Sequence, residues 1–302
     1  MNNLNNARNV NNINGILNIL KPTGMTSHDV VSQVRKILNT KHVGHAGTLD
    51  PNVSGVLVIC VGKGTKFSEI LMNGDKEYIC ELILGKKTDT QDSYGKIVEE
   101  HSIPSFNEQY ICDVLKSFEG EQLQIPPAYS AVKLNGKKLY EYARENIEVK
   151  KPGKPVNIKE IKLIKFNQDR VLMKVKCTKG TYMRTLCNDI GEHLGTLGYM
   201  GVLVRTDAKG LKIEDSVSLD ELKFLYNNNR LSECLIPIDE IFKMDKIFVE
   251  DEYYDKLING NEIKFDTTIL DSNEFFIYCK DMLIGLGHKT KNNEVKINKM
   301  LM

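Results

Sequence analysis

Hydrophobic and polar positions along the chain change period often, and each change marks an element. "GILNILKPTGMTSHDVVSQVRKIL" (15–38) reads as a short strand, a Pro-Gly turn and a helix. Ser27 is the expected N-cap, and Val30, Val31, Val34 and Ile37 fall at helical spacing. "SGVLVICVGKGTKFSEILM" (54–72) reads as a buried strand, a glycine turn and another helix. "KEYICELILG" (76–85) alternates as a strand should, with Tyr78, Cys80 and Leu82 facing inward. The polar, turn-rich "TDTQDSYGKIVEE" leads into a further strand, and "FNEQYICDVLKSFEG" predicts a helix ending at Gly120. "QIPPAYSAVKLNGKKLYEYARENI" starts as a proline-stiffened loop and ends as an amphipathic helix carrying Tyr and basic residues. Two strands follow, hairpin-like through Asn167–Arg170, and a helix starts near Tyr182. "LDELKFLYNNN" predicts a helix and "LIPIDE" a linker. Beyond about Asp245 only short strands and turns remain: "IFVE", "NEIKF", "FFIYCK", "MLIGLGH" and "EVKINKM".

This order predicts an α+β protein with a large mixed, mainly antiparallel sheet flanked by helices, followed by a small β-rich module. The expected divisions are a flexible leader at 1–13, a main domain at 14–240 and a C-terminal domain at 245–302. Eight of the first fourteen residues are Asn, so the opening reads as a leader and not as a signal peptide. A module of that size lies near the lower limit for an independent core, and it is expected to lean on its neighbour.

Composition narrows the function classes. No apolar run approaches the roughly 20 residues of a membrane span. The seven cysteines are scattered without a C-x-x-C pair, which points to reduced thiols in a cytoplasm and away from a zinc site or disulfide framework. No helical face is conspicuously apolar, so a monomer is expected. Net charge is only +1, but its distribution is polarised. Residues 150–212 carry 14 Lys/Arg against 5 Asp/Glu, a local +9, whereas 213–281 carry 7 against 17, a local −10. Such a chain can present a cationic face to a phosphate backbone.

Three stretches carry candidate chemistry. In "KHVGHAGTLDP" (41–51), glycines, histidines and a threonine converge on Asp50, directly before Pro51. Asp50 can be a turn cap, a metal ligand with His42 and His45, or a nucleophile. In "CTKGTYMRTL" (177–186), Tyr182 and Arg184 stand together where a strand turns into a helix, as suits a stacked base beside a paired carboxylate. The third is Tyr78, whose plain alternative is core packing. "VGKGTK" (61–66) fails the G-x-x-x-x-G-K-[ST] phosphate loop, because Gly64 follows Lys63 and Leu57 stands where the first Gly belongs.

"KPTGMTSHDVV", "GHAGTLDPNVSGVLVICVGKGTKF", "DKEYICELILGKKTDTQDSYG", "IPPAYSAVKLNGKKLYEYAR", "CTKGTYMRTLCNDIGEHLG" and "VLVRTDAKG" occur in the order expected of the TruB-type tRNA pseudouridine(55) synthases. The resemblance covers roughly residues 14 to 240. More weakly, "LINGNEI" and "LIGLGH" resemble the PUA-like RNA-binding domain appended to bacterial members. The resemblance implies a pseudouridine-synthase fold that isomerises uridine 55 in the T-loop of tRNA, with no metal and no organic cofactor. It implies Asp50 as catalytic nucleophile, Arg184 as its partner, and Tyr78 as the ring stacked on the target uracil. His45 resembles a histidine that contacts substrate RNA, Tyr182 belongs to the same "GTYxR" motif as Arg184, and Leu203 resembles a leucine lining the pocket. The chain departs from many relatives after Leu203, where two adjacent basic residues are replaced by Val204-Arg205. The rival readings are a non-catalytic tRNA-binding or folding protein on the same scaffold, and an Asp-nucleophile hydrolase or NTPase on an unrelated fold.

Overall fold

A computed structural model describes residues 13–301 apart from 146, 243 and 293, so all of the expected leader except Ile13 lies outside the described residues. One ten-stranded sheet organises the main domain. From one edge its main path runs Leu235–Ile236, Gly15–Lys21, Ser54–Val61, Gly198–Ala208, Lys76–Leu84, Arg170–Cys177, Lys154–Asn167 and Gly120–Gln124. Every pairing on that path is antiparallel except one, between Ser54–Val61 and Gly198–Ala208. That parallel seam is short, with Val204 opposite Ser54 and Arg205 opposite Gly55. The mixed, mainly antiparallel sheet is as the sequence pattern predicted.

The continuous apolar run of Ser54–Val61 has a simple cause: this strand is covered on both faces. Leu57, Ile59 and Val61 pack with Val30, Val31 and Val34 of helix Ser27–Ile37 and with Leu222 of helix Leu219–Asn227. Val56, Val58 and Cys60 face the other way, against Phe67 and Phe242. In the second half of the sheet, Cys80, Leu82, Val171, Met173 and Val175 pack against helices Glu108–Ser117 and Met183–His193. Each buried aliphatic or aromatic side chain contributes about 1.5–3 kcal/mol.

Three boundaries differ from the sequence reading. Thr26, not Ser27, caps the first helix, through a reciprocal capping box with Asp29. The 108–117 helix ends before Gly120, which at φ +103° opens the following strand. "LIPIDE" is not a linker: Leu235 and Ile236 pair with Leu17 and Ile16 at the sheet edge, and Ile238–Ile241 is a helical turn.

The C-terminal residues form a separate five-stranded sheet with a core including Ile247, Leu257, Phe275, Ile277 and Val295. Its other face shares a cluster with the main domain, where Phe276, Leu286 and Leu301 meet Phe67 and Phe242. The ring centroids of Phe67 and Phe276 lie 6.2 Å apart. The leaning of this small module on its neighbour is therefore an apolar contact.

Candidate active site

Asp50 stands at the tip of a turn that the first helix and strand hold from below. The Ser27 hydroxyl donates to the carbonyl of Leu49 at 3.1 Å and accepts the Leu49 N–H at 2.9 Å. Lys21, fully buried at the end of its strand, donates to the carbonyls of Pro22, Met25 and Pro51 at 2.8, 2.6 and 3.0 Å. Burial lowers the Lys21 pKa, and the neighbouring Asp50 opposes that shift. The Val53 N–H closes the turn on the Asp50 carbonyl at 3.0 Å. The crowding of restrictive residues around Asp50 thus corresponds to a tied loop presenting a carboxylate whose side chain is 49% exposed.

Arg184 meets that carboxylate from the first turn of helix Met183–His193, Nη2 to Oδ2 at 3.1 Å. The same nitrogen donates to the Tyr129 carbonyl at 3.1 Å, and Nη1 lies 3.6 Å from the carboxylate of Asp92. A planar fork satisfies several acceptors in fixed directions, which a lysine would not reproduce. The helix start is itself clamped, since Gln124 accepts the Tyr182 N–H at 2.7 Å and donates to its carbonyl at 3.1 Å.

The ion pair opens onto a cleft of about 820 Å³. Tyr78, Tyr182, Leu203 and Arg205 are among its walls. Tyr78 and Arg205 stand directly opposite one another on adjacent strands. Burial raises the Tyr78 phenol's pKa despite the opposing pull of the Arg205 guanidinium. Leu203, 9% exposed, lies two residues before Arg205, beside a register shift that follows Met200. Of the six residues singled out from sequence, five line this cleft: Asp50, Arg184, Tyr78, Tyr182 and Leu203. His45 does not; it ends the short strand Val43–His45, with its Nδ1 buried and no hydrogen-bond partner among the described residues. Burial, then the charge of Arg205, lowers its pKa.

The sequence reading missed Lys21, Lys76, Asp92, Gln124 and Arg205 as parts of the site. Arg205 is 1% exposed, donates to the carbonyls of Val56 at 2.7 Å and Gly47 at 3.3 Å, and so ties the seam to the Asp50 turn. Lys76 donates to the carbonyls of Met72 and Gly74, and burial, with Arg205 adding to it, depresses its pKa to about 8. Among the described residues no carboxylate lies within ion-pair distance of Lys76 or Arg205, which both line the cleft, while Lys21 sits behind it under the Asp50 turn. A clue existed: Lys21 and Lys76 interrupt apolar strand ends, where an unpaired cation is costly. No three His, Cys, Asp or Glu side chains group as a metal site among the described residues.

A strand-borne aromatic wall, cations beside it and a carboxylate fixed by a guanidinium at the mouth make a cleft suited to a planar group on an anionic substrate. Comparison with known proteins agrees. Residues 35–183 match the TruB family pseudouridylate synthase N-terminal domain, and residues 184–243 match the tRNA pseudouridylate synthase B C-terminal domain. The chain belongs to the TruB family of pseudouridylate synthases. It is 43% identical to the tRNA pseudouridine synthase B of Clostridioides difficile (strain 630) over 301 residues, covering 93% of this chain and 97% of that protein. With the protein of the same name from Alkaliphilus oremlandii (strain OhILAs) identity is 44% over 276 residues, covering 89% and 91%. Among solved structures, a chain of an H/ACA ribonucleoprotein bound to a substrate RNA containing 2′-deoxyuridine superimposes with TM-score 0.70 at 25% identity. The match covers 95% of this chain and 85% of that one. No helix among the described residues is long and apolar enough to cross a membrane.

Proposed function

We propose that this protein isomerises uridine to pseudouridine at position 55 in the T-loop of tRNA, with Asp50 as nucleophile on a flipped-out uridine and no metal or organic cofactor. The observation that carries the reading is the Asp50–Arg184 pair at 3.1 Å, its carboxylate half exposed at the mouth of an aromatic-walled cleft. Relatives 43–44% identical carry the name tRNA pseudouridine synthase B, which supports tRNA as the substrate. The protein acts, on this reading, as a cytoplasmic monomer on the T-stem-loop.

The reaction breaks the N1–C1′ bond, turns the uracil and rejoins it through C5. The C5 proton leaves and N1 gains one, so the product is an isomer and no redox partner or energy source is consumed. A carboxylate nucleophile serves at C1′ of the ribose or at C6 of the base, and a glycal route also begins at Asp50. The freed base must stay caged until it rejoins, and Tyr78 and Leu203 provide an aromatic platform and an apolar wall. Extracting the base from a folded loop costs a few kcal/mol. Phosphate contacts from the basic 150–212 segment and from "KLNGKKLYEYAR" offset that cost and make binding salt-dependent.

The test is an unmodified T-arm transcript tritiated at C5 of its uridines, incubated with the protein, chelator and no nucleotide. One molar equivalent of tritium released from the T-loop uridine, and none with Asp50→Ala, is the expected result. Tight binding without release would move the protein to the RNA-binding class, and neither binding nor release would overturn the T-arm as its substrate.

A further inference from the structure

A second, smaller chamber of about 220 Å³ is also lined by the ion pair. The two share Asp50, Val53, Tyr129, Arg184, Met200 and Leu203 as a common wall. At the rim of the small chamber stands Tyr94, 69% exposed and the most exposed tyrosine among the described residues. Nothing in the proposed chemistry uses it.

An exposed aromatic on a loose loop would mean little, but this turn is pinned. The Asp92 carboxylate accepts the Tyr94 N–H at 3.0 Å and the Thr90 hydroxyl at 2.7 Å, while its other oxygen faces Arg184. Lys96 N–H reaches the Asp89 carboxylate at 2.8 Å, and the Thr88 hydroxyl donates to the Asp92 carbonyl at 2.8 Å. The turn is also tied to the sheet, because Met200 N–H donates to the Gln91 carbonyl at 3.0 Å and Ser93 Oγ to the Met200 carbonyl at 3.2 Å. A Cβ on Gly95 would lie 2.3 Å from Thr90 Oγ1 and 2.4 Å from the Asp89 carboxylate, so the packing leaves no slack there. A large apolar ring is thus held in water, beside the reacting group, on a backbone with little freedom.

Resting on the function proposed above, we infer that Tyr94 is the stacking platform for the nucleobase next to the target uridine. Because the two chambers share a wall, the base adjoining one held in the large cleft reaches the small chamber's mouth. An unstacked base finds there the ring of Tyr94. Stacking on an aromatic side chain replaces the base stacking lost when the loop opens, and it is tolerant of base identity. Tyr94 thereby holds the RNA open while the uridine reacts.

The test uses the full-length protein and T-arm stem-loops in which each neighbour of the target is replaced, one at a time, by 2-aminopurine. Binding of the wild type is expected to quench 2-aminopurine emission at one of the two positions, Tyr94→Phe to preserve the quenching, and Tyr94→Ala to abolish it. On unmodified RNA, kcat/KM should fall roughly ten-fold in Tyr94→Ala, the scale of one lost base–aromatic stack. An abasic residue at the same position should cost the wild type that same factor and Tyr94→Ala almost nothing further. Equal quenching by wild type and Tyr94→Ala at both positions, or losses from mutation and abasic site that multiply, would overturn the inference. Emission requires no turnover, so a wild type that quenches through Tyr94 but releases no tritium would sink the proposed reaction and leave the stacking site standing.

Discussion

Gly55→Ala perturbs the single parallel seam of the sheet, and the structure supplies the size of the effect. Gly55 sits at φ +111°, and a Cβ there would lie 2.2 Å from the Arg205 carbonyl oxygen and 2.6 Å from its nitrogen. Both are backbone atoms, so no rotamer change relieves the clash. The positive φ alone costs a residue with a Cβ about 1–2 kcal/mol. Separating the strands then threatens the Ser54/Val204 and Gly55/Arg205 pairings and the Arg205–Val56 hydrogen bond, at about 1 kcal/mol each. The sum, roughly 4–5 kcal/mol, is a large share of the 5–15 kcal/mol that stabilises a typical protein. Gly210→Ala is the control, because Gly210 also has positive φ, +85°, but a Cβ there meets nothing within 4 Å. Urea unfolding of both variants separates clash from conformational strain. Gly55→Ala is expected to lose at least about 2 kcal/mol more than Gly210→Ala. Turnover should also fall, since Arg205 links this seam to the Asp50 turn through Gly47. Equal stability of the two variants would refute the view that the seam is rigid and that Gly55 is required by close approach.

Asp50→Ala should abolish tritium release while leaving RNA affinity within a few-fold, because a carboxylate repels phosphate. Arg184→Lys should be severely impaired, since one ammonium cannot span Asp50, Asp92 and the Tyr129 carbonyl; wild-type turnover would remove the pair from the mechanism. Lys76 titrates near 8 when folded against 10.5 ordinarily, so the unfolded chain holds the extra proton between those values and stability rises with pH across that window. Urea unfolding at several pH values should show a positive slope there that is lost in Lys76→Met, and an unchanged slope would contradict the burial of this cation. Truncation after Met244 removes Phe276, Leu286 and Leu301 from the cluster around Phe67 and should lower the melting temperature as well as RNA affinity. An unchanged melting temperature would show that the contact contributes nothing.

Sequence alone determined the elements whose physics is local. Period-two alternation in "KEYICELILG" and helical spacing from Val30 to Ile37 depend only on which face each residue presents, so both were legible without coordinates. The family motifs likewise marked five residues that the fold brings to one cleft, although they come from positions 50, 78, 182, 184 and 203. Misreadings fell where long-range pairing decides. "LIPIDE" lacks strand length or alternation, yet two of its residues complete a sheet edge with partners more than two hundred positions away. Ser27 is a good cap by residue type, but Thr26 takes that place and frees the Ser27 hydroxyl to hold Leu49. Lys21, Lys76 and Arg205 look like ordinary surface cations in a string of letters. Only tertiary structure buries them, because the low-dielectric surroundings that make their charge count are assembled from strands distant in sequence.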